Sequence, residues 1–272
     1  MRPDAVIEAL HFEALGTTCG LFGVDVTGAQ LADGEQWVRE MGARLTRFSP
    51  QSELSLINDS AGRWVEVSAE TEQVLRESLR AYDLSAGLVN VAVLPAMVAI
   101  GYTRPLAEGP SAATRTVACP APPVIDVLTV RGGRVRLEPG CGLDLGGVAK
   151  GWMADRLVDR LGGNVVANIG GDLRAAGLGP NGDGWPVGFA GATVMLRDQG
   201  AATSSVRRRR WGDLHHLIDP RTGRPARSGV QEVSVVARTG LEAEVVAKTA
   251  LLLGPEIGAA YCAAHAQAWS IR

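Results

Sequence analysis

Apolar positions recur at two different periods along this chain, and the changes of period divide it into helical and extended stretches. Near the N-terminus the run FEALGTTCGLFGVDV is rich in Phe, Thr and Val and predicts a strand. Over residues 32–48, Trp37, Val38, Met41 and Leu45 return every three or four positions and predict a helix with one buried stripe. FSPQSELSLIN reads as a polar turn. A second helix is predicted over 69–85, capped by Ser68, with Val74, Leu75, Leu79 and Tyr82 inward and Gly87 just past its end. VNVAVLP follows as a short strand, and residues 103–123, rich in Pro, Ala and Thr without a period, as a long surface connection with no assigned role.

VIDVLTV and RVRLE, joined by Gly132-Gly133, predict a β-hairpin. A third helix opens at Gly146-Gly147-Val148, carries Trp152, Met153, Leu157, Val158 and Leu161 at helical spacing, and stops at Gly162-Gly163. NVVANIGGDLRAAG, GWPVGFAG, ATVMLRDQGAATSS, LHHLIDP and QEVSVVAR then read as successive strands. A helix over 241–253 ends at Gly254, and the alanine-rich tail folds back as one more helix and a terminal strand. Adjacent strands interrupted by few helices predict an α+β fold of mixed, largely antiparallel sheets with flanking helices, not a doubly wound parallel sheet. GLGPNG matches the spacing of a dinucleotide fingerprint, yet it contains Pro180 and precedes a strand where a helix is required, so it reads as a loop. Residues 1–272 are expected to form a single domain, or two intimately packed α+β subdomains.

A formal charge of -2 and a pI near 6.1 give no electrostatic reason to expect nucleic acid. No stretch approaches the roughly 20 apolar residues of a spanning helix. Charges within the first thirteen residues argue against a secretory signal or anchor, and Cys19 lacks a lipoprotein-like processing site. The expectation is a cytoplasmic protein without membrane insertion. Cys19, Cys119, Cys141 and Cys262 lie too far apart for a Cys-x-x-Cys site and are expected to be buried thiols.

Only two of the 27 basic residues are lysines, Lys150 and Lys248, which marks both for tasks that arginine cannot do. In DLGGVAKGW, two glycines at a helix start allow close backbone approach, and the unpaired N–H groups with the positive end of the dipole favour an anion. Lys150 in the first turn needs compensation, from a bound phosphate or from Asp144 as a structural salt bridge. Gly170-Gly171-Asp172 fits a tight turn as well as a ligand-approach loop. Arg207 to Arg210 read as a solvated hairpin tip. His215 and His216 face opposite sides of a strand, so one alone can face a site as a general base, and Asp219 in DPRTG is a turn cap. Glu244 and Lys248, four residues apart on an apolar helix, form an intrahelical pair or serve a site.

Taken in order, these segments resemble the ApbE-type flavin transferases, the FAD:protein FMN transferases. ALGTT, RFSPQSELSLIN, GLVNVAVLP, LDLGGVAKGWMADRL, NIGGDLRAAG, GWPVGF, ATSS, HHLIDPRTGRPA and VVARTGLEAEVVAKTALLLG follow the order of that family's motifs over about residues 14–254. The resemblance implies an ApbE-like, T-fold-related architecture. It also implies an enzyme that moves the FMN part of FAD to a Thr or Ser hydroxyl of an acceptor protein and releases AMP. The alternative is an FAD-binding or FAD-hydrolysing protein without efficient protein flavinylation. By carry-over, Asp144 would meet the adenine or ribose end, Lys150 the pyrophosphate, and Asn90 the flavin nucleotide. Gly147, Gly171, Asp172 and Ser204 would line the same FAD site, and His216 would be the base. The family's magnesium site maps onto Gly147 and Glu244, with Lys248 where the family has Thr; an ammonium has only donors and cannot ligate. Lys248 is therefore expected to replace part of the ion's charge. Asn90 replaces an Asp, Leu56 an Arg and Leu15 a Met, and the family's aromatic residue in the Phe-Ser loop is missing.

Overall fold

In the computed structural model, which describes residues 7–112 and 119–272, the first predicted strand is two. Leu15 and Gly16 both take positive φ (56° and 67°) and reverse the chain between β1 (Ile7–Ala14) and β2 (Thr17–Val24). A leucine in this conformation is unusual, and Leu-Gly carries none of the Asn-Gly signal that marks such turns.

Helix α1 (Gly28–Leu45) starts earlier than its apolar stripe because Thr27 and Gln30 form a capping box, and it stops where Thr46 turns extended. The polar segment after it holds a short helix, α2 (Glu53–Asn58), whose N-cap Ser52 accepts the Ser55 N–H at 3.0 Å. Helix α3 (Ala69–Leu84) is capped by Ser68 as expected. VNVAVLP is not a strand. Asn90 accepts the Ala92 N–H at 2.9 Å and opens a 3-10 turn, Val91–Val93, which runs into α4 (Leu94–Ala99) with Pro95 at its start. VIDVLTV begins as one helical turn (Val124–Val127) before the hairpin strands Leu128–Arg131 and Arg134–Leu137.

Helix α5 (Ala149–Leu161) is followed by β3 (Asn164–Ile169) and β4 (Asp172–Ala176), and further on by β5 (Gln199–Ser205) and β6 (Glu232–Ala237). Helices α6 (Gly240–Leu253) and α7 (Pro255–His265) and the strand β7 (Ala268–Ile271) close the chain. β1 to β7 lie side by side in chain order as one seven-stranded sheet, every neighbouring pair antiparallel. The fold is thus α+β with a predominantly antiparallel sheet. Glycines 177 to 182 lie in the loop before the strand Trp185–Phe189, as the misplaced proline requires.

Strand alternation sorts the core. Val165, Ala167 and Ile169 point to the face covered by α1 and α5, against Leu31, Met41, Trp152 and Leu157. Val166 points the other way, against Ala175, Trp185 and Leu196, where the hairpin Trp185–Phe189 and Ala192–Leu196 covers the sheet. α6 is apolar almost all round because it is buried on both sides, against the sheet and against α5 and α7. Among the described residues no helix is long and apolar enough to cross a membrane. All four cysteines are free, but only Cys19 and Cys262 are buried; Cys119 is exposed.

Candidate active site

A cavity of about 630 Å³ opens where α5 begins, within the range of small-molecule sites. Its walls come from far-separated parts of the chain: the β1–β2 turn, the end of α1 with Arg47 and Phe48, residues 88–93, Tyr102 and 105–107, the opening of α5, Arg209, His216 and Lys248. The connection over 103–123 therefore is not wholly surface, since Pro105, Leu106 and Ala107 line the cavity; residues 113–118 lie outside the described residues.

The opening of α5 has no side-chain N-cap. Several of its amides are spoken for internally: Gly146 donates to Asp144 Oδ1 (2.9 Å), Ala149 to Leu145 O (2.9 Å) and Gly151 to Glu244 Oε2 (2.9 Å). Lys150 pairs with the buried Asp172 and lies 3.6 Å from Glu244. Asp144 is not its partner; that carboxylate is held by Arg47 at 2.6 Å. Burial pulls the Lys150 ammonium below its ordinary pKa, Glu244 opposes this, and Arg209 and Lys248 add to the lowering.

Nor do Glu244 and Lys248 form the expected pair along α6. Gly151 lets the backbone of α5 touch that of α6 at Gly240, where any Cβ would strike the Gly240 carbonyl. This close crossing turns Glu244 into the first turn of α5 and brings Lys248 Nζ onto Gly147, where there is no room for a Cβ. Among the described residues Lys248 makes no ion pair, and Arg209 reaches only the Leu15 carbonyl, at 3.4 Å. The arginine run is thus not all solvated. Arg209, at a positive φ of 48°, turns into the cavity. Among the described residues, five cationic side chains line the cavity, Arg39, Arg47, Lys150, Arg209 and Lys248, against one carboxylate, Asp144. Such an imbalance in a partly enclosed space attracts an anion.

Aromatic rings line the cavity beside these cations. The Arg47 guanidinium lies 4.2 Å from the Phe48 ring centroid and 4.5 Å from that of Tyr102, and the Trp211 ring lies 5.3 Å from Tyr102, tilted by 40°. Tyr102, which arrives from beyond α4, sets its ring 5.8 Å from that of Phe48.

His215 and His216 do face opposite ways. His215 is buried, its Nε2 3.0 Å from Ala226 O, and takes no part in the cavity. His216 lines the cavity, and its buried Nδ1 has no hydrogen-bond partner among the described residues. Burial first, then the charges of Arg209, Lys248 and Lys150, hold its pKa well below the ordinary imidazole value. Asp219 caps its own turn, accepting the Arg221 N–H at 3.0 Å.

Of the remaining expected residues, Asn90 lines the cavity, but its amide is committed to Pro122 O and the Ala92 N–H, both at 2.9 Å. Gly147 lines it; Gly171 and Asp172 lie behind Lys150 on the β3–β4 turn, Gly171 leaving room for the Arg208 guanidinium. Ser204 is buried in β5 opposite Val233 and does not reach the cavity. Arg39, Arg47, Arg209 and Tyr102 are lining residues to which the sequence reading assigned no place in the site; the one available signal was that Arg209 lies four positions before the DLHHLIDP segment.

The ApbE family model matches residues 15–270. The chain belongs to the ApbE family. It is similar to a protein of Vibrio cholerae named FAD:protein FMN transferase, at 28% identity over 257 residues, covering 85% of this chain and 75% of the relative. A protein of the same name in Escherichia coli K12 is 27% identical over 245 residues, covering 78% of this chain and 67% of the relative. The solved structure of the flavin transferase ApbE from Vibrio cholerae superposes with a TM-score of 0.78, at 24% identity over 98% of this chain and 93% of that one. The ApbE protein of Thermotoga maritima gives a TM-score of 0.83, at 22% identity over 95% of this chain and 90% of that one. Both show the fold.

In this ApbE chain the donors expected for magnesium do not suit it. The Glu244 carboxylate is engaged by the Gly151 N–H and faces Lys150, and the space beside Gly147 holds an ammonium. A hard divalent cation needs oxygen ligands and repels a neighbouring ammonium. The described residues place no group of three or more His, Cys, Asp or Glu together where an ion could sit.

Proposed function

We propose that this chain is an FAD:protein FMN transferase, a transferase that uses FAD as substrate, and that residues 1–272 act as one unit around the cavity. The observation that carries this reading is the cavity itself: cations gathered at the start of α5 next to the aromatic rings of Phe48 and Tyr102, in a chain of the ApbE family. FAD has the matching form, an anionic diphosphate between two flat ring systems.

On this reading the diphosphate lies against Arg209 and Lys248, which form no ion pair among the described residues, and against Lys150, whose carboxylate partners Asp172 and Glu244 do not line the cavity. Asp144 and Arg47, already paired, orient the nucleotide beside the aromatic rings, and Asn90 shapes the wall through its bonds to the backbone. Gly147 keeps the helix opening thin, while Gly171 and Asp172 support Lys150 from behind; Ser204 is left out of the site. Phosphoryl transfer is mostly positioning and charge stabilisation, which this cluster supplies. The acceptor's Thr or Ser hydroxyl approaches the phosphorus of the FMN half, His216 takes the hydroxyl proton, a new phosphoester bond forms, and the bond to the AMP phosphate breaks. An imidazole held neutral by burial and neighbouring cations is ready to accept that proton without prior deprotonation. The four free thiols suit a reducing compartment, in keeping with the cytoplasm.

Incubating the protein with FAD and lysate of its source cell, then inspecting a denaturing gel under ultraviolet light, tests the reading. A new fluorescent band together with AMP release is expected. AMP release without labelled protein would mean that water replaces the acceptor, and neither product would sink the assignment.

A further inference from the structure

Resting on the FAD reading, we propose that Lys248 is the resident cation of this site, so that the diphosphate binds and FMN is transferred without a divalent metal. Three independent features of the geometry lead there. The Lys248 ammonium fills the space against Gly147 at the opening of α5. Glu244, one turn earlier on α6, turns away from it to the Gly151 N–H at 2.9 Å and to Lys150 at 3.6 Å, so the lysine carries no ion pair of its own among the described residues. The neighbouring hydroxyl, Thr249, is buried and donates to Val245 O at 2.8 Å, which points it away from the cavity. The site thus offers an ammonium, pulled below its ordinary pKa by burial while Glu244 and Asp144 oppose this, and among the described residues no free set of oxygen donors. An ammonium on a four-carbon stem reaches this position with three donors for phosphate oxygens, and it is a more compact charge than the broader, planar guanidinium of arginine. That accounts for one of only two lysines in a chain with 27 basic residues.

The chemistry needs no co-reactant for this: the lysine only offsets charge on the diphosphate while the acceptor oxygen displaces AMP. The test is calorimetric titration of FAD into metal-stripped full-length protein, in excess EDTA and again in magnesium chloride. The native chain is expected to bind FAD equally in both buffers, within about twofold. Lys248→Met, neutral and of similar length, should bind about 100-fold more weakly in both, as expected for removing one buried charge from a charge pair. Lys248→Thr should lose as much in EDTA and regain at least about tenfold with magnesium, because it opens the space beside Gly147 and Glu244 to an ion. Titrating Mn2+ into the native chain with FAD, followed by electron paramagnetic resonance of the free ion, should show no tight uptake. FAD binding by the native chain that is lost in EDTA and restored by magnesium, tight Mn2+ uptake, or unchanged affinity in Lys248→Met would each overturn the proposal while leaving the flavin reading intact. Folded native protein that binds no FAD in either buffer would instead overturn the flavin reading.

Discussion

A single methyl group tests the geometry at the helix opening. A Cβ on Gly147 would fall on Lys248 Nζ, so Gly147→Ala must push the ammonium outward. Moving one charge from about 4 to about 6 Å from a phosphate, at an effective dielectric of about 20, weakens the attraction by about 1.4 kcal/mol, or roughly tenfold in affinity. Calorimetry with FAD should show that loss; affinity equal to the native chain would remove Lys248 from the anion site. His216 gives a second test. Its pKa is lowered from 6.5, so the neutral, proton-accepting form persists as the pH falls past the value at which an ordinary imidazole would be half protonated. The acid limb of kcat/KM for FMN transfer should therefore lie below pH 6.5, and His216→Asn should lower kcat by about 10²- to 10⁴-fold. A limb at or above pH 6.5 would contradict the environment assigned to this ring. These residues were unevenly legible in the sequence. Both lysines stood out by their rarity, and the alternation of His215 and His216 was a matter of strand period. Arg209 did not, because four consecutive arginines look alike until a turn with positive φ sends one of them inward.

Elements meet at this site through backbone contacts that side-chain patterns cannot announce. Helices α5 and α6 touch at Gly151 and Gly240, and Asp155 of α5 accepts the Gly240 and Leu241 N–H groups at 2.7 and 3.0 Å, capping α6 from outside. Burial raises the Asp155 pKa to about 6 from the ordinary carboxyl value of 3.8, against these hydrogen bonds and Arg174. The sign follows from linkage: between those values the folded chain holds a proton that the unfolded chain has lost, so this group's contribution to stability is full at acid pH and declines as the pH rises through the interval. Urea unfolding of the native chain and of Asp155→Asn, compared from pH 4 to pH 7, should show the difference moving in favour of the variant by up to roughly 3 kcal/mol. A difference that does not change with pH would mean an ordinary carboxylate. The long helices were legible for different reasons: α1 and α3 from an apolar period and their caps, α5 from its apolar period and the glycines that end it, and α6 from a long apolar run closed by Gly254. The short ones were not: α2 and α4 rest on one local cap or a proline start, and the polar and apolar letters of FSPQSELSLIN and VNVAVLP fit a turn and a strand equally well.

At the scale of the whole molecule, a sheet whose seven strands lie in chain order leaves its helices as excursions between neighbouring strands, and the cavity forms where these excursions meet. α+β class could be read from the succession of strands, but not this order, since pairing between β2 and β3 brings together residues separated by all of α1 to α5. A ligand in such a cavity ties the β1–β2 turn, the end of α1, the opening of α5 and α6 to one another, and so stabilises the fold as a unit. At a concentration 100 times Kd, binding adds about 2.7 kcal/mol, which for a chain of this length corresponds to a rise in Tm of roughly 5 °C. The cation excess lining the cavity predicts which part of the ligand produces the rise. At equal concentration FAD should shift Tm most, FMN and AMP less, and riboflavin, which has the flavin ring but no phosphate, least. Raising the salt concentration from about 0.1 to about 1 M shortens the screening length from about 10 to 3 Å and should shrink the FAD shift far more than the riboflavin shift. Equal shifts from riboflavin and FAD, insensitive to salt, would mean that the aromatic rings bind alone and that Lys150, Arg209 and Lys248 serve something other than a diphosphate.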